Sequence, residues 1–493
     1  MAIILRPYQE RAVAEVREAF QTGHNGVVMQ IPTGGGKTLT AGHILQSAAA
    51  RGNDGMFIVN RVELIEQTAL AFDRLGMAGS YGIIASGFTG NPRAAVQIAS
   101  IDTLKSRLRR PELAAKIRLP RLRVYDECRS MGSAGWTSVF DTLRAQGGKD
   151  LGLDATPIRL DGKGLDVYFS HLVCGPQYSE LMALGALVPF DVYAPSIPDM
   201  SGVRMKGSDY DQSAVEAVVD KPQLVGDVVS HYVQHAMGKS CITFAVSRKH
   251  SEHLAESYRA AGVAAVHLDG DTDKGERKQM VRAFRRGEIK VLCNVDLFTA
   301  GFDVPGVEVI TMVRPTQSLS VFLQQAGRGS RPEAEIGKDR CILLDHAGNV
   351  FRHGLPDMDR EWSLAGRVKG ERKKKPGEDG PAVKQCPVCY AAFVPAPKCP
   401  NGHVQPIDHR QVAQVEGDLK RIQAADLAHL KAKEKKQLKA AKTIEELEAL
   451  AKERGYGPSW AKHTLEARKG AKAKRLDAWS AKRMEAQAQA YRR

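Results

Sequence analysis

Short apolar runs rich in β-branched residues recur along this chain, each followed by a stretch with helical spacing. No other feature narrows its possible folds as far. In the first half the runs are GVVMQI from Gly26, MFIVN from Met56, VQIAS from Val96, LRVYDE from Leu122 and DLGLDA from Asp150. In the second they are SCITFA from Ser240, KVLCNV from Lys290 and VEVITMV from Val307. Continuous apolar strands suit a sheet covered on both faces, and alternation with helices suits parallel pairing through crossovers. The fold class expected is therefore α/β, built on parallel sheets. With 493 residues, two to four domains fit the length.

Two breaks divide the pattern. A stretch rich in Pro, Gly and Asp from Pro189 to Gly207 lies near a boundary between two such units. From Gly366 to Lys384 large apolar residues almost vanish, which reads as a flexible basic linker. Charge follows the same division. The formal net charge is +15, and residues 410–493 alone carry +10 of it. A nearly neutral enzyme core with a basic arm points to a polyanion as partner, and nucleic acid is the commonest. Five of the eight cysteines are scattered singly, so no disulfide framework is expected. No stretch reaches membrane-spanning length and the first residues carry only a short apolar run, so a cytoplasmic protein with no membrane partner is expected.

After the first run comes IPTGGGKT. Glycines at 34, 35 and 36 let backbone N–H groups wrap a phosphate, and the helix start behind them favours negative charge. Lys37 is placed to reach the terminal phosphates of ATP, and the Thr38 hydroxyl to ligate Mg²⁺. Ile31 stands where a strict Walker A pattern has its first glycine. LRVYDE then delivers two carboxylates from a strand end: Asp126 for Mg²⁺, through water, and Glu127 to polarise the attacking water.

With these motifs in place, the first 355 residues resemble a superfamily 2 helicase, of the branch containing RadD-type repair helicases and restriction-enzyme translocating subunits. Leu5 to Gln9 resembles the adenine-recognising element, so Arg6 and Gln9 are expected at the nucleotide, with Gln9 reading the base. Thr33 to Thr38 falls in motif I. VNRVELIEQ, with Arg61, Glu63 and Gln67, resembles motif Ia, and SIDTL from Ser100 resembles motif Ib; both touch the nucleic-acid backbone in the family. DECR is similar to motif II and DATP, from Asp154, to motif III. ITFAVSRKHSEHLAE resembles motif IV. In NVDLFTAGFDVP, similar to motif V, Asp303 is expected near the ribose or Lys37. QQAGRGSRP resembles motif VI and offers Arg328 and Arg331 to the γ-phosphate, with Arg331 as the finger.

The resemblance implies two RecA-like domains. The expected divisions are residues 1–190 and 221–358 for these, 191–220 and 359–384 for linkers, 385–409 for a zinc knuckle and 410–493 for a basic helical tail. In the knuckle, Cys386-x₂-Cys389 is followed by Cys399-x₃-His403, four ligands of the type tetrahedral Zn²⁺ takes, with His409 as an alternative fourth. His403 departs from the Cys₄ ribbon the resemblance implies. Residues from Ile444 to Lys469 read as a helical hairpin with Trp460 as a packing residue.

The function expected is an ATP- and Mg²⁺-dependent DNA helicase or translocase in repair, replication or recombination of a bacterium or its phage, with a possible protein partner at the C-terminal extension. The alternatives are the motor of a restriction system, an RNA helicase, or a nucleic-acid-binding protein with a decayed ATPase. Three departures from the family pattern bear on the last: Arg129 replaces the usual His of motif II, Asp154 the Thr or Ser of motif III, and Ala300 a frequent Glu of motif V. Arg129 and Asp154 are oppositely charged, and an ion pair between them is expected to compensate both changes.

Overall fold

The computed structural model describes residues 3–159, 163–194, 200, 202–206, 209–220, 222–295, 297, 306–365, 383–405, 441, 443–453, 461 and 464. Asp303, Ala300, His409, Trp460 and most of the basic linker and tail lie outside the described residues.

Seven strands form the first sheet: β1 (Gly26–Gln30), β2 (Gly55–Val59), β3 (Tyr81–Ile84), β4 (Val96–Ser100), β5 (Leu122–Asp126), β6 (Lys149–Asp154) and β7 (His171–Cys174). Their order is β3-β4-β2-β5-β6-β1-β7, and every pairing is parallel. Strands β1, β2 and β4 are buried at all five positions, as their unbroken apolar runs require. Two apolar cores cover the faces. One, around Val27, Phe57 and Leu151, takes in the helices Pro7–Gln21 and Lys37–Ala49, and the other gathers Trp136, Phe140 and Phe169.

The second sheet uses β8 (Phe190–Tyr193), β11 (Cys241–Phe244), β12 (Ala265–Leu268), β13 (Val291–Asn294), β14 (Val309–Met312) and β15 (Cys341–Asp345), in the order β12-β13-β11-β14-β15-β8, again wholly parallel. Its faces are packed by cores around Phe244 and Phe322 and around Tyr232 and Tyr258. Between β8 and β11 a two-residue ribbon pairs β9 (Met205–Lys206) with β10 (Asp209–Tyr210). The stretch 191–220, expected as a linker, thus continues an edge strand and holds this ribbon and the helix Gln212–Val219.

We call the two sheets with their helices lobe 1 and lobe 2. The last described element before residue 405 is a small module in which β16 (Lys384–Gln385) pairs antiparallel with β17 (Ala392–Phe393). It lies against the free edge of β8, where Ala194 N donates to Tyr390 O at 3.1 Å. Residues 408–493 form a separate unit, of which the helix Ile444–Glu453 is described; Leu447 there is fully buried beside Ala441 and Ala461.

Candidate nucleotide site at the cleft and candidate metal centre at the knuckle

In parallel α/β sheets the loops at the carboxyl ends of the strands are where side chains converge. Here the loops after β1, β5 and β6 do so. Gly34 (φ +90°) and Gly36 (φ +87°) take left-handed conformations that turn the chain from β1 into the helix Lys37–Ala49, with Gly36 as its N-cap. A Cβ on Gly34 would lie 2.7 Å from Leu187 Cδ2 and 3.2 Å from Ser330 Oγ, so only a bare backbone passes between the loop and lobe 2. Arg331 Cγ lies 3.6 Å from the same point. Gly327 is equally confined, since a Cβ there would meet Thr33 Cβ at 2.7 Å. The loop and the arginine-bearing segment of lobe 2 are thus in direct contact.

Lys37 Nζ donates to Ile31 O at 3.3 Å, across the mouth of the loop. From the helix Pro7–Gln21, Tyr8 OH and Gln9 Nε2 both donate to Gly35 O, at 3.1 and 3.4 Å. Gln9 Oε1 accepts from Arg6 N at 2.9 Å. Tyr8 and Gln9 therefore brace the glycine loop, with both ends of the Gln9 amide engaged.

Strand β5 ends in Asp126, and Glu127 follows in a left-handed conformation (φ +53°) unusual for a side chain with a Cβ. Loss of water, then the neighbouring Glu127, pushes the Asp126 carboxyl up to about 7, opposed by Lys37. That is the electrostatic state a bound divalent cation relieves. The pair expected from the two departures is present. Arg129 Nη1 donates to Asp154 Oδ1 at 2.7 Å, and Arg129 N donates to Asp154 Oδ2 at 2.9 Å. The second contact comes from the backbone instead of a second guanidinium nitrogen, and Arg129 Nη1 also pairs with Glu127 Oε2. Asp154 is fully buried and takes a further bond from Thr156 N at 2.9 Å.

Lobe 2 answers with the helix Leu319–Ala326. Gln324 Nε2 donates to Glu127 Oε2 at 3.3 Å, and Thr156 Oγ1 donates to Ser320 Oγ at 2.7 Å. Thr156 lay inside a recognised motif without a role, and Ser320 lay in none. The only sign of Ser320 in the sequence is its place one helical turn before Gln324, on the same face.

In the module on β8, the donor atoms of Cys386, Cys389, Cys399 and His403 all lie within 4.8 Å of one another. Cys389 and Cys399 sulfurs are 3.8 Å apart, and His403 Nδ1 is 3.4 Å from Cys399 Sγ and 3.8 Å from Cys386 Sγ. With Zn–S bonds of about 2.3 Å, a tetrahedral ion sets its sulfurs roughly 3.8 Å apart, so the donors fit. Enclosure raises the Cys386 thiol, but the backbone N–H groups of Cys389 and Val388 outweigh it and hold the thiol down to about 6, which favours the thiolate a metal needs.

Comparison with known proteins agrees with this geometry. The family model described as the type III restriction enzyme res subunit matches residues 2–159, and the helicase conserved C-terminal domain matches residues 220–333. A 51.5 kDa protein of a Lactococcus phage is 33% identical over 400 residues, covering 80% of this chain and 82% of that protein. The DNA 3'-5' helicase XPB of Kineococcus radiotolerans is 28% identical over 360 residues, covering 69% of this chain. This chain spans only 59% of that helicase's length. Among solved structures, a fragment described as an HsdR subunit of a type I restriction enzyme from Vibrio vulnificus aligns with a TM-score of 0.56 at 19% identity, covering 71% of this chain and 65% of the fragment, a likeness of fold alone. The two parallel sheets, the ordered motifs at their cleft and these matches together place the chain in superfamily 2 of the helicases, related to restriction-enzyme subunits, as an ATP-dependent nucleic-acid helicase or translocase.

Proposed function

We propose that this chain is a DNA translocase or helicase that acts in repair, replication or recombination in the cytoplasm of a bacterium or a phage-infected cell. The observation that carries the reading is the meeting of opposite charges at one cleft. Lobe 1 brings Lys37, Asp126 and Glu127 to the loop, and lobe 2 lays the Arg331 stem against Gly34. In this reading ATP enters between the lobes, with Arg6 and Gln9 on the base side and Thr33 to Thr38 around the phosphates. Lys37 leaves Ile31 O for the terminal phosphates. Thr38 and Asp126 would hold Mg²⁺, which would supply charge neutralisation at the phosphate oxygens. Glu127 orients and polarises the attacking water, and Arg328 and Arg331 offset the charge that develops on the γ-phosphate. Asp303, outside the described residues, is assigned by the family resemblance alone to the ribose or the Lys37 region. Because ATP joins the lobes and its hydrolysis releases them, two surfaces that grip phosphates move past each other along a strand. The phage relative supports the proposed setting.

Cys386, Cys389, Cys399 and His403 hold a structural Zn²⁺ in this reading, since four protein donors leave no open position for catalysis. The basic linker and tail add phosphate contacts or dock a protein partner. A second reading, the motor of a restriction system, is favoured by the match to the type III res subunit, and it requires a partner with nuclease activity.

ATP turnover measured with single-stranded, duplex and forked DNA and with RNA tests the proposal. Stimulation by DNA above RNA is expected. Turnover unchanged by any nucleic acid would leave a binding protein with a decayed motor, and stimulation by RNA alone would make it an RNA helicase.

A further inference from the structure

The polar contacts at the cleft form a ring. Starting from Glu127, the Arg129 guanidinium pairs with that carboxylate and with Asp154. Asp154 holds the backbone N–H of Thr156, whose hydroxyl crosses the cleft to Ser320 at 2.7 Å. One turn further along the same helix, Gln324 returns across the cleft to Glu127. Ser320 and Gln324 are spaced i, i+4, so they stand on one face and contact the two ends of the lobe 1 chain. We propose that the Thr156–Ser320 hydrogen bond is an inter-lobe latch that sets Gln324 against Glu127, making Ser320 a positioning residue for hydrolysis.

The physical case rests on burial and on geometry. Thr156, Ser320 and Asp154 are almost wholly excluded from solvent, at 1%, 4% and 0% exposure, so a lost bond is not replaced by water while the lobes stay together. Thr156 has one hydroxyl proton. Its second acceptor, Asp154 Oδ1, lies at 3.5 Å, too long to compete with Ser320. Asp154 is already supplied by Arg129 and by Thr156 N, which frees the hydroxyl to reach across. Both inter-lobe bonds leave from one helix face, so they form and break together as the lobes close and part. With the lobes apart, Glu127 keeps only its Arg129 partner, and that ion pair draws the carboxylate away from a water to be activated. Closure brings Gln324 onto the same oxygen and divides that hold. The latch thus acts on the chemical step and not on ATP binding, since neither hydroxyl lies on the phosphate loop.

This inference rests on Glu127 as the water-polarising carboxylate. The test is steady-state ATPase of the full chain with a single-stranded oligonucleotide. Ser320→Ala and Thr156→Val are each expected to lower kcat about 3–10-fold, with KM for ATP within about two-fold, the size of one net hydrogen bond. Thr156→Ser keeps the hydroxyl and should recover most of the rate. The double variant Thr156→Val, Ser320→Ala should lose no more than the worse single one, because no hydroxyl is left unpaired. Additive losses, a rise in KM at unchanged kcat, or failure of Thr156→Ser to recover the rate above Thr156→Val would overturn the latch. Should Thr156→Val not fold, the remaining comparison is Ser320→Ala alone, and an unchanged kcat sinks the proposal. Full turnover by Glu127→Gln is a separate outcome, and it would remove the role of Glu127 itself.

Discussion

The two lobes bury their polar groups in different ways. Lobe 1 buries ions: Arg123 Nε donates to Asp150 Oδ1 at 2.6 Å at the start of β5 and β6, and Arg129 meets Asp154 at their ends. Lobe 2 buries imidazoles that burial keeps neutral, with His250 lowered to about 4 and His346 to about 3, and the part-buried His353 is lowered to about 4 in the same way. Its buried carboxylate, Asp345, is served by the backbone N–H groups of Val350 and Ala347 at 2.7 and 3.1 Å. Each arrangement has its own weakness. A buried ion pair fails when one partner is removed, because the other is left uncompensated. A buried imidazole fails when protons are supplied, because the unfolded chain takes them up first.

The largest expected effect asks whether the lobes share one reaction. Lys37→Ala in lobe 1 and Arg331→Ala in lobe 2 should each cut DNA-stimulated ATP turnover by about 100-fold or more, with the fold intact by circular dichroism. Full activity of either variant would remove that lobe from the chemistry. Next comes the module on lobe 2. Metal analysis of the purified chain should find about one zinc per molecule, absent in Cys386→Ser, and hydrogen exchange should quicken around β8 with lobe 1 unchanged. Zinc-free protein with normal protection of β8 would separate the module from the lobe it lies on.

A smaller effect is expected at the lobe 1 pair. Arg129→Ala and Asp154→Ala should each destabilise lobe 1, by about 3–5 kcal/mol if the pair behaves as fully buried. The double variant should lose less than the sum, with a coupling of roughly 0.5–3 kcal/mol in denaturant melts. Strict additivity would show that the short distance carries no energy. Smallest is the response to acid. For His250, His346 and His353 the folded pKa lies below the unfolded value near 6.5. Their contribution is therefore complete above that value and is lost as pH falls toward 4 and then 3. Hydrogen exchange at pH 7 and pH 5 should show protection falling further in lobe 2 than in lobe 1. An equal loss in both lobes would erase the contrast.

Strand legibility followed burial for most strands, with the covered interior strand β15 as the exception. β1, β2 and β4 read as strands because neighbours and helices cover them fully, which forces an unbroken apolar run. The edge strands β3, β7 and β12 did not, since Tyr81, His171 and His267 stand where an edge leaves the side chain half covered. β8 was hidden for another reason. It sits among prolines and glycines, and only the free edge of β15 makes it a strand.

The sequence by itself picked out the candidate groups: the glycine loop with Lys37, the paired carboxylates at the end of β5, the motif VI arginines and the four knuckle donors. Each of these is local, because a phosphate loop or a metal knuckle needs particular residues at short fixed spacing and shows them as a motif. The pairing of Arg129 with Asp154 was half legible, since opposite charges at two departures suggest a partner but not which nitrogen binds. Only the tertiary structure decided that Gln324 reaches Glu127 and that Ser320 receives Thr156, 164 positions apart. A serine on a helix is an unremarkable residue in a sequence. It becomes part of the site because two separately folded sheets close on each other and bury its hydroxyl where a single partner is in reach.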